Sequence, residues 1–134
     1  MAQMEWQEAY SVGNPVLDGQ HKELIALVNK VGDDVDLGEV LAGLRRYGET
    51  HFDTEESLLE AAGYPDLEDH KKFHDAFRDW LDGVMAACRA GEDDAAVRRD
   101  IHHYLRVWLA NHLLVHDKAY ASWLTKTPEL SLDQ

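Results

Sequence analysis

The sequence predicts an all-α protein, an antiparallel up-down-up-down four-helix bundle with an N-terminal arm. Apolar residues recur three and four positions apart along four long segments, which is the period of one helix face. The 134-residue chain contains only three prolines, so little interrupts these segments. The connections between them are short, and short connections place consecutive helices antiparallel. A chain of this length can bury a substantial core within one domain.

The first residues, 1–17, are predicted to form an irregular arm, because a Gly-Asn-Pro sequence disfavours a helix there. Asp18 is predicted to cap the first helix, which runs to about Val31. The whole helical domain is predicted at residues 18–124, followed by a polar tail at residues 125–134.

Three further helices are predicted. The second spans about residues 37–62 and the third about residues 67–90, and each is followed by glycine, which commonly ends helices. The fourth begins after Asp93 or Asp94, either of which can cap it. The residues predicted to face the core on these three helices are Val40, Leu41, Leu44, Tyr47, His51, Glu55, Leu58, Leu59, His70, His74, Phe77, Leu81, Val84, Met85, Cys88, Ile101, Leu105, Trp108 and His112.

The net charge of −13 argues against nucleic acid or an anionic membrane surface as a partner. The N-terminal residues lack the basic and apolar regions of a signal peptide, and no apolar run is long enough to span a bilayer. Cys88 is the only cysteine, so the chain forms no internal disulfide, and we expect a buried, inert thiol there. These features predict a soluble cytoplasmic protein.

Two pairs of polar residues lie on the predicted apolar faces. His51 and Glu55 are four positions apart, as are His70 and His74, so each pair stands on one face of a helix. Burying such groups is costly unless something binds them. Each pair is therefore a candidate two-pronged metal ligand.

Imidazoles from all four helices, together with two carboxylates, make up the candidate metal ligands. A single inward histidine is more often a hydrogen-bonded core residue, but five histidines on converging faces favour a metal. Seven ligands exceed the four of a tetrahedral zinc site and suit two six-coordinate ions. The absence of thiolates favours iron over copper(I) or an iron–sulfur cluster. The seven candidates are His21, His51, Glu55, His70, His74, His112 and Asp117.

The histidine-rich composition of this set also bears on reactivity. Ferritin-like di-iron enzymes use carboxylate-rich sites with Glu-x-x-His motifs, and this sequence contains no such motif. A shell with fewer carboxylates stabilises Fe(II) more strongly. It therefore favours reversible O2 binding over cleavage of the O–O bond.

The motifs resemble those of the hemerythrins over residues 6 to about 123. The matching segments are Asp18-Gly-Gln-His21, His51-Phe-Asp-Thr-Glu55, His70-x3-His74 and Trp108-Leu-x2-His112-x4-Asp117, and the arm Trp6-x3-Tyr10-Ser-Val-Gly-Asn resembles that of bacterial hemerythrins. The resemblance implies a non-haem centre of two iron ions that binds O2. It implies that three histidines (His70, His74, His112) hold one iron and two (His21, His51) the other, with Glu55, Asp117 and an oxo or hydroxo group as bridges. O2, or a small anion, would bind at the iron with two histidines.

One spacing in this pattern is irregular for a helix. His112 and Asp117 are five residues apart, about 140° round an ideal helix, so His116 would fit regular geometry better. The family pattern favours Asp117, which requires the helix to bend, tighten or bulge. By contrast, His102 and His103 fall off the apolar face and are predicted to be solvated, as is Glu56.

Apolar residues next to the candidate ligands are predicted to wall an oxygen pocket as well as to pack the core. A dry pocket would slow the access of protons and water to bound O2. The residues predicted to form it are Phe52, Trp108, Leu109 and Leu113.

The favoured function is reversible O2 binding for storage, delivery or scavenging, without enzymatic activity. The alternatives are an O2 or redox sensory module with a signalling partner, and a di-iron enzyme acting on peroxide or nitric oxide. A plain structural or zinc-filled bundle is the remaining interpretation.

Overall fold

The computed structural model describes residues 3–33 and 36–125, and over these residues the protein is all-α. The predicted bundle is confirmed, with helix ends close to those expected. The final helix is divided by one turn of π-helix. The elements are a 3-10 turn at Glu8–Tyr10, α1 at Pro15–Val31, α2 at Leu37–Ala61, α3 at Leu67–Arg89, α4 at Ala95–Asn111, the π-helix at His112–Asp117 and α5 at Lys118–Thr125.

The first helix begins earlier than predicted. Asn14, and not Asp18, is its N-cap, because the Asn14 side chain accepts hydrogen bonds from the N–H groups of Val16 and Leu17 at 3.0 and 3.1 Å. Pro15 occupies the first helical position, where its missing N–H costs nothing. The Gly-Asn-Pro sequence therefore starts a helix, and the prediction of Asp18 as the cap was wrong.

Asp18 instead ties the N-terminal arm to α1. Its carboxylate accepts hydrogen bonds from the Ser11 hydroxyl at 2.6 Å and from the Val12 N–H at 2.9 Å. Further along the arm, the Asn29 side chain exchanges two hydrogen bonds with the backbone of Met4, at 2.8 and 2.9 Å. The arm is thus fixed to the bundle at two points along α1.

The other predicted helix ends hold to within about one residue. Asp36 caps α2 and Asp94 caps α4, in each case by accepting a backbone N–H of the first turn. Beyond the ends of α2 and α3, Gly63 and Gly91 adopt φ values of 67° and 96°, a region that favours glycine. Residues 126–134 of the predicted polar tail lie outside the described residues.

Among the described residues, the core consists of two apolar clusters with a layer of polar side chains between them. The larger cluster joins α1–α4 and includes Leu24, Leu44, Phe77 and Leu109. The smaller cluster includes Leu17, Leu58, Leu59, Tyr120 and Leu124. Along α1, α2 and the final helix, the chain passes from one cluster to the other through buried histidines and carboxylates. The candidate metal ligands therefore form a separate layer across the bundle.

One residue predicted to be solvated is part of this core. His102 is only 2% exposed, although its neighbour His103 is exposed as expected. His102 lies so close to Gly32 that a Cβ at Gly32 would approach the His102 Nε2 to 3.3 Å. The packing of α1 against α4 therefore buries a wider face of α4 than its apolar residues indicate. Among the residues predicted to face inward, Val40, Tyr47, Val84, Met85 and Cys88 are only half-buried.

None of the helices formed by the described residues is long and apolar enough to cross a membrane.

Replacing Asn14 by Ala should lower the free energy of unfolding by about 1 kcal/mol, because two N–H groups of the first turn of α1 lose their acceptor. Urea denaturation would measure the change. Glu23→Ala, at an exposed position within the same helix, is the control and should have little effect. Equal stabilities of the Asn14 and Glu23 variants would contradict the capping role.

Candidate metal centre

Seven polar side chains meet inside the bundle in two groups that share one carboxylate. All seven are at most 3% exposed. In each group the candidate ligand atoms lie within 4.8 Å of one another. The first group is Glu55, His70, His74 and His112, and the second is His21, His51, Glu55 and Asp117.

Glu55 belongs to both groups because its two oxygens face different histidines. Its Oε1 lies 3.0 Å from the Nε2 of His74 and is also in contact with the Nε2 of His70. Its Oε2 lies 3.2 Å from the Nε2 of His51 and 3.6 Å from that of His21. A carboxylate divided in this way has the geometry to bridge two metal ions.

Asp117 is divided between the groups in the same manner. Its Oδ2 lies 2.9 Å from the Nε2 of His21, while its Oδ1 lies 3.1 Å from that of His112 and 3.5 Å from that of His70. The π-helix at residues 112–117 makes this possible, because its wider turn brings residues five apart onto one face. The irregular spacing in the sequence thus corresponds to a bulge.

His116, the alternative to Asp117 on a regular helix, lies outside the cluster. It is half-buried, and its ring stacks on Phe73 with 3.7 Å between the ring centres.

Several atoms of this cluster point at common places without a hydrogen-bond partner. Within the described part of the chain, five buried atoms of the cluster have no hydrogen bond: the Nε2 atoms of His21, His51 and His112 and both oxygens of Asp117. Atoms of other candidate ligands nevertheless lie about 3 Å from them, as Asp117 does from His21 and His112. Leaving buried polar atoms unpaired is costly. Metal ions at these points would satisfy them, so the donor set fits a two-metal centre.

Hydrogen bonds from a surrounding layer orient several of these side chains. The Nδ1 of His51 donates to the Oε1 of Gln20 at 2.7 Å, and the Nδ1 of His74 donates to the Oε2 of Glu56 at 2.7 Å. Each bond leaves the Nε2 of its histidine free to bind a metal, which is the usual arrangement of histidine ligands. The prediction that Glu56 is a solvated charge was therefore wrong.

Tyr120 supports the shared carboxylate from α5. Its hydroxyl donates to the Oε2 of Glu55 at 2.8 Å, and its side chain is fully buried. The spacing of Tyr120 from Asp117, three residues along the final helix, was the only sequence signal that could have indicated this role. Gln20 and Glu56 gave a similar weak signal, since each is adjacent to a candidate ligand.

The charged groups in the centre lie so close together that each shifts the pKa of its neighbours. Burial disfavours the charged form of His21, but the carboxylates of Asp117 and Glu55 outweigh it and raise the pKa of His21 to about 9. Burial and the Glu55 charge raise the pKa of Asp117, but His112 and His21 outweigh both and lower it to about 2. Both carboxylates are thus ionised near neutral pH. A bound metal would take the place of the proton on His21.

A small apolar cavity adjoins the centre. Its volume is about 10 Å³, close to the minimum that holds one water-sized molecule. Two candidate ligands, His51 and His112, contribute to its wall. The apolar lining is Leu24, Val28, Leu44, Gly48, Phe52, Phe77, Leu105, Trp108 and Leu109.

The cavity includes three of the four residues predicted to wall an oxygen pocket. Phe52, Trp108 and Leu109 line it, whereas Leu113 is fully buried in the same apolar cluster without being part of the lining. Further lining residues from α1 and α2 were not predicted, because in the sequence they look like ordinary core positions.

Replacing Glu56 by Ala should weaken metal retention by roughly 10- to 100-fold, because His74 loses the acceptor that orients its ring. Competition with a chelator would measure this loss. Glu60→Ala removes an exposed carboxylate from the same helix and should retain metal normally. Equal retention in the two variants would show that the Glu56 contact does not support the centre.

The comparisons with known proteins agree with this geometry. Residues 12–124 match the family model for the hemerythrin HHE cation binding domain. The chain is 33% identical to a bacteriohemerythrin of Methylococcus capsulatus, with 93% of this chain and 99% of the relative covered. It is also 33% identical to a bacteriohemerythrin of Stenotrophomonas maltophilia, covering 90% and 81%, and 31% identical to a myohemerythrin of Theromyzon tessulatum, covering 87% and 89%.

The fold is also similar to that of a solved structure. A crystal structure of wild-type hemerythrin superposes with a TM-score of 0.84 at 30% identity, covering 92% of this chain and 99% of the other. Family model, sequence relatives and solved structure all span nearly the whole bundle. The chain therefore belongs to the hemerythrin family of non-haem di-iron proteins, which bind O2.

Proposed function

We propose that this protein binds O2 reversibly at a di-iron centre formed by its seven converging side chains, and that it acts in O2 storage, delivery or scavenging. The observation that carries the proposal is the division of Glu55 between two groups of histidines. Such a carboxylate can bridge two ions, whereas a single tetrahedral zinc would need only one of the groups. Imidazole and carboxylate ligands suit iron.

The ligand assignment follows the two groups. His70, His74 and His112 would hold one iron and His21 and His51 the other, with Glu55 and Asp117 shared between them and an oxo or hydroxo group as a further ligand. Because the second iron would have fewer histidines, O2 or a small anion would bind there. Bound iron supplies the reversible electron transfer on which O2 binding depends.

The surrounding residues of the chain control access to that position. Phe52, Trp108 and Leu109 line the apolar cavity beside His51 and exclude bulk water from it. Tyr120 and Gln20 hold Glu55 and His51 in place through their hydrogen bonds. A dry, pre-arranged site should favour the return of intact O2 over autoxidation, in which reduced oxygen leaves and the centre is left oxidised.

The proposal does not include catalytic turnover. The histidine-rich ligand set supports O2 binding, and no feature of residues 3–33 and 36–125 specifically favours a nitric oxide enzyme or a sensory module. A signalling or redox partner is left unassigned. The cytoplasmic location and the boundaries of arm, domain and tail stay predictions from the sequence.

The chain should bind two irons, and its oxygenated form should be reversible. Anaerobic reconstitution with Fe(II), followed by exposure to O2 and then its removal, should produce a visible absorption band that appears and disappears. One tetrahedral zinc per chain after iron-replete expression, or irreversible oxidation at the first exposure, would contradict the proposal.

The two irons should respond differently to the loss of one histidine. His51→Ala should weaken retention of the O2-binding iron and abolish the reversible absorption band. The substitution opens a second coordination position on an iron that already has an open one. His74→Ala should preserve some O2 reactivity with altered absorption and faster oxidation. Iron analysis and the decay of the band would be compared between the two variants.

Leu113→Ala should retain both irons and mainly admit water, raising the rate of autoxidation. Its matched control is Leu114→Ala, because Leu114 is 46% exposed next to the fully buried Leu113. Loss of iron from the Leu113 variant together with a normal oxygenated form in His51→Ala would show that the ligands and the pocket are wrongly placed.

A further inference from the structure

A continuous run of aromatic rings leads from the candidate metal centre to the protein surface between α3 and α4. His112 stacks on Trp108, with 4.8 Å between ring centres and 10° between ring planes. Trp108 stacks on Phe77 at 4.0 Å, and Phe77 lies 6.0 Å from Trp80. Trp80 in turn stacks on Tyr104 at 4.1 Å and 22°. We call His112, Trp108, Phe77, Trp80 and Tyr104 the aromatic ladder.

The ladder consists of residues from one face of each helix and from the turn that follows α4. Tyr104, Trp108 and His112 are four apart along the chain, and Phe77 and Trp80 are three apart, so each set lies on one helix face. One end of the ladder, His112, is a candidate iron ligand. The other end, Tyr104, is 41% exposed to solvent.

Packing explains why large rings lie between α3 and α4, because stacked ring pairs stabilise the contact between two helices. It does not require the rings to be tryptophan and tyrosine or to end in water. Indole and phenol rings are among the protein side chains that most readily lose one electron. Phe77 does not share that property, but its ring fills the gap between the two tryptophans and keeps the stack in contact.

We propose that the aromatic ladder is an electron-transfer route through which oxidising equivalents leave the buried centre for Tyr104, where an external one-electron donor removes them. This inference rests on the proposed di-iron centre. The oxidant is hydrogen peroxide, the two-electron reduction product of O2. An O2-binding site encounters it whenever the centre is oxidised and bound O2 leaves in reduced form. The donor is a small reductant of the ascorbate class.

Each passage moves one electron inwards along the ladder. After hydrogen peroxide has taken two electrons from an iron-loaded centre, Trp108 would return one of them, and Trp80 would reduce Trp108 in turn across Phe77. Tyr104 then reduces Trp80 and releases its phenolic proton to solvent, which is possible because its ring is exposed. The resulting phenoxyl radical takes one electron from ascorbate and one proton from water.

Two passages balance the reaction. The O–O bond of one hydrogen peroxide breaks, two electrons and two protons are taken up, and two waters form. Two ascorbate anions each lose one electron and one proton and become ascorbyl radicals. The side chains of the ladder are unchanged after each complete passage.

The test uses iron-loaded protein treated with hydrogen peroxide in the absence of a donor. Tyr104→Phe removes the phenol but keeps the ring, and Trp80→Phe interrupts the ladder below it. Tyr47→Phe is the matched control, a half-buried tyrosine on α2 outside the ladder. Rapid-freeze paramagnetic resonance would detect radicals, and peptide mass spectrometry would locate oxidised rings and tyrosine–tyrosine cross-links between chains.

The unmodified protein and Tyr47→Phe should form a tyrosyl radical and chains cross-linked through Tyr104. Tyr104→Phe should lose both and accumulate oxidised Trp80, whereas Trp80→Phe should lose both and accumulate oxidised Trp108. Ascorbate added before the peroxide should suppress the cross-link. Unchanged cross-linking in either ladder variant, or a radical confined to the buried Tyr120, would overturn the proposal.

Two further measurements separate this inference from the proposed function. Iron content and the reversible oxygen band, measured on the same samples, report O2 binding alone, and both ladder variants should retain them. Pulse radiolysis with the azide radical oxidises tryptophan without any metal and follows the passage of the radical to tyrosine. Trp6 and Trp123 also lie close to tyrosines, with 5.8 Å to Tyr10 and 6.1 Å to Tyr64 between ring centres. One rapid component of the passage should therefore be lost in Tyr104→Phe and none in Tyr47→Phe, and equal yields and rates in the two would overturn the ladder even if no iron binds.

Discussion

The structure depends on the burial of one carboxylate, that of Glu55. A buried carboxylate is tolerated only when other groups compensate its charge. Here histidines of α1, α2 and α3 and the hydroxyl of Tyr120 surround it, so four elements of the bundle must meet at one level. The apolar clusters above and below close the layer off from water. The same charge that constrains the packing also prepares a site for cations.

The π-helix is the second feature that the centre requires. A regular helix would direct His112 and Asp117 to different faces, and Asp117 would lose its contacts with His21 and His112. One extra residue in the turn brings both to the centre, while the regular α-helices on either side continue the bundle. The backbone departs from ideal geometry only where the ligand set needs it.

The aromatic residues of α3 and α4 serve several purposes at once. Trp108 packs the two helices together, lines the cavity and stacks on His112. A ring that excludes water from the centre is also a ring that can exchange electrons with it. In our proposal, this combination would connect a dry pocket for O2 with an exposed tyrosine, Tyr104, at which an external donor could reduce the ladder.

Most of the architecture could be predicted from the sequence, because it depends on local patterns. Helical periodicity and the glycines at helix ends predicted the bundle, and pairs such as His51–Glu55 predicted a polar layer within it. The irregular spacing before Asp117, read with the family pattern, indicated that the helix bends, tightens or bulges there, and the structure shows the bulge. By contrast, the sequence misplaced the start of α1, since Asn14 and Asp18 are equally good caps and only the folded arm shows that Asp18 binds Ser11 and Val12.

What the tertiary structure decided is which side chains meet across helices. The contacts of Gln20 with His51, Glu56 with His74 and Tyr120 with Glu55 join residues 18 to 65 positions apart. His102 is buried because α1 covers it, not because of its neighbours in the chain. Periodicity reports the face of its own helix alone. The sequence therefore determined the helices and their polar layer, and the packing of those helices determined the surrounding hydrogen bonds, the cavity and the aromatic ladder.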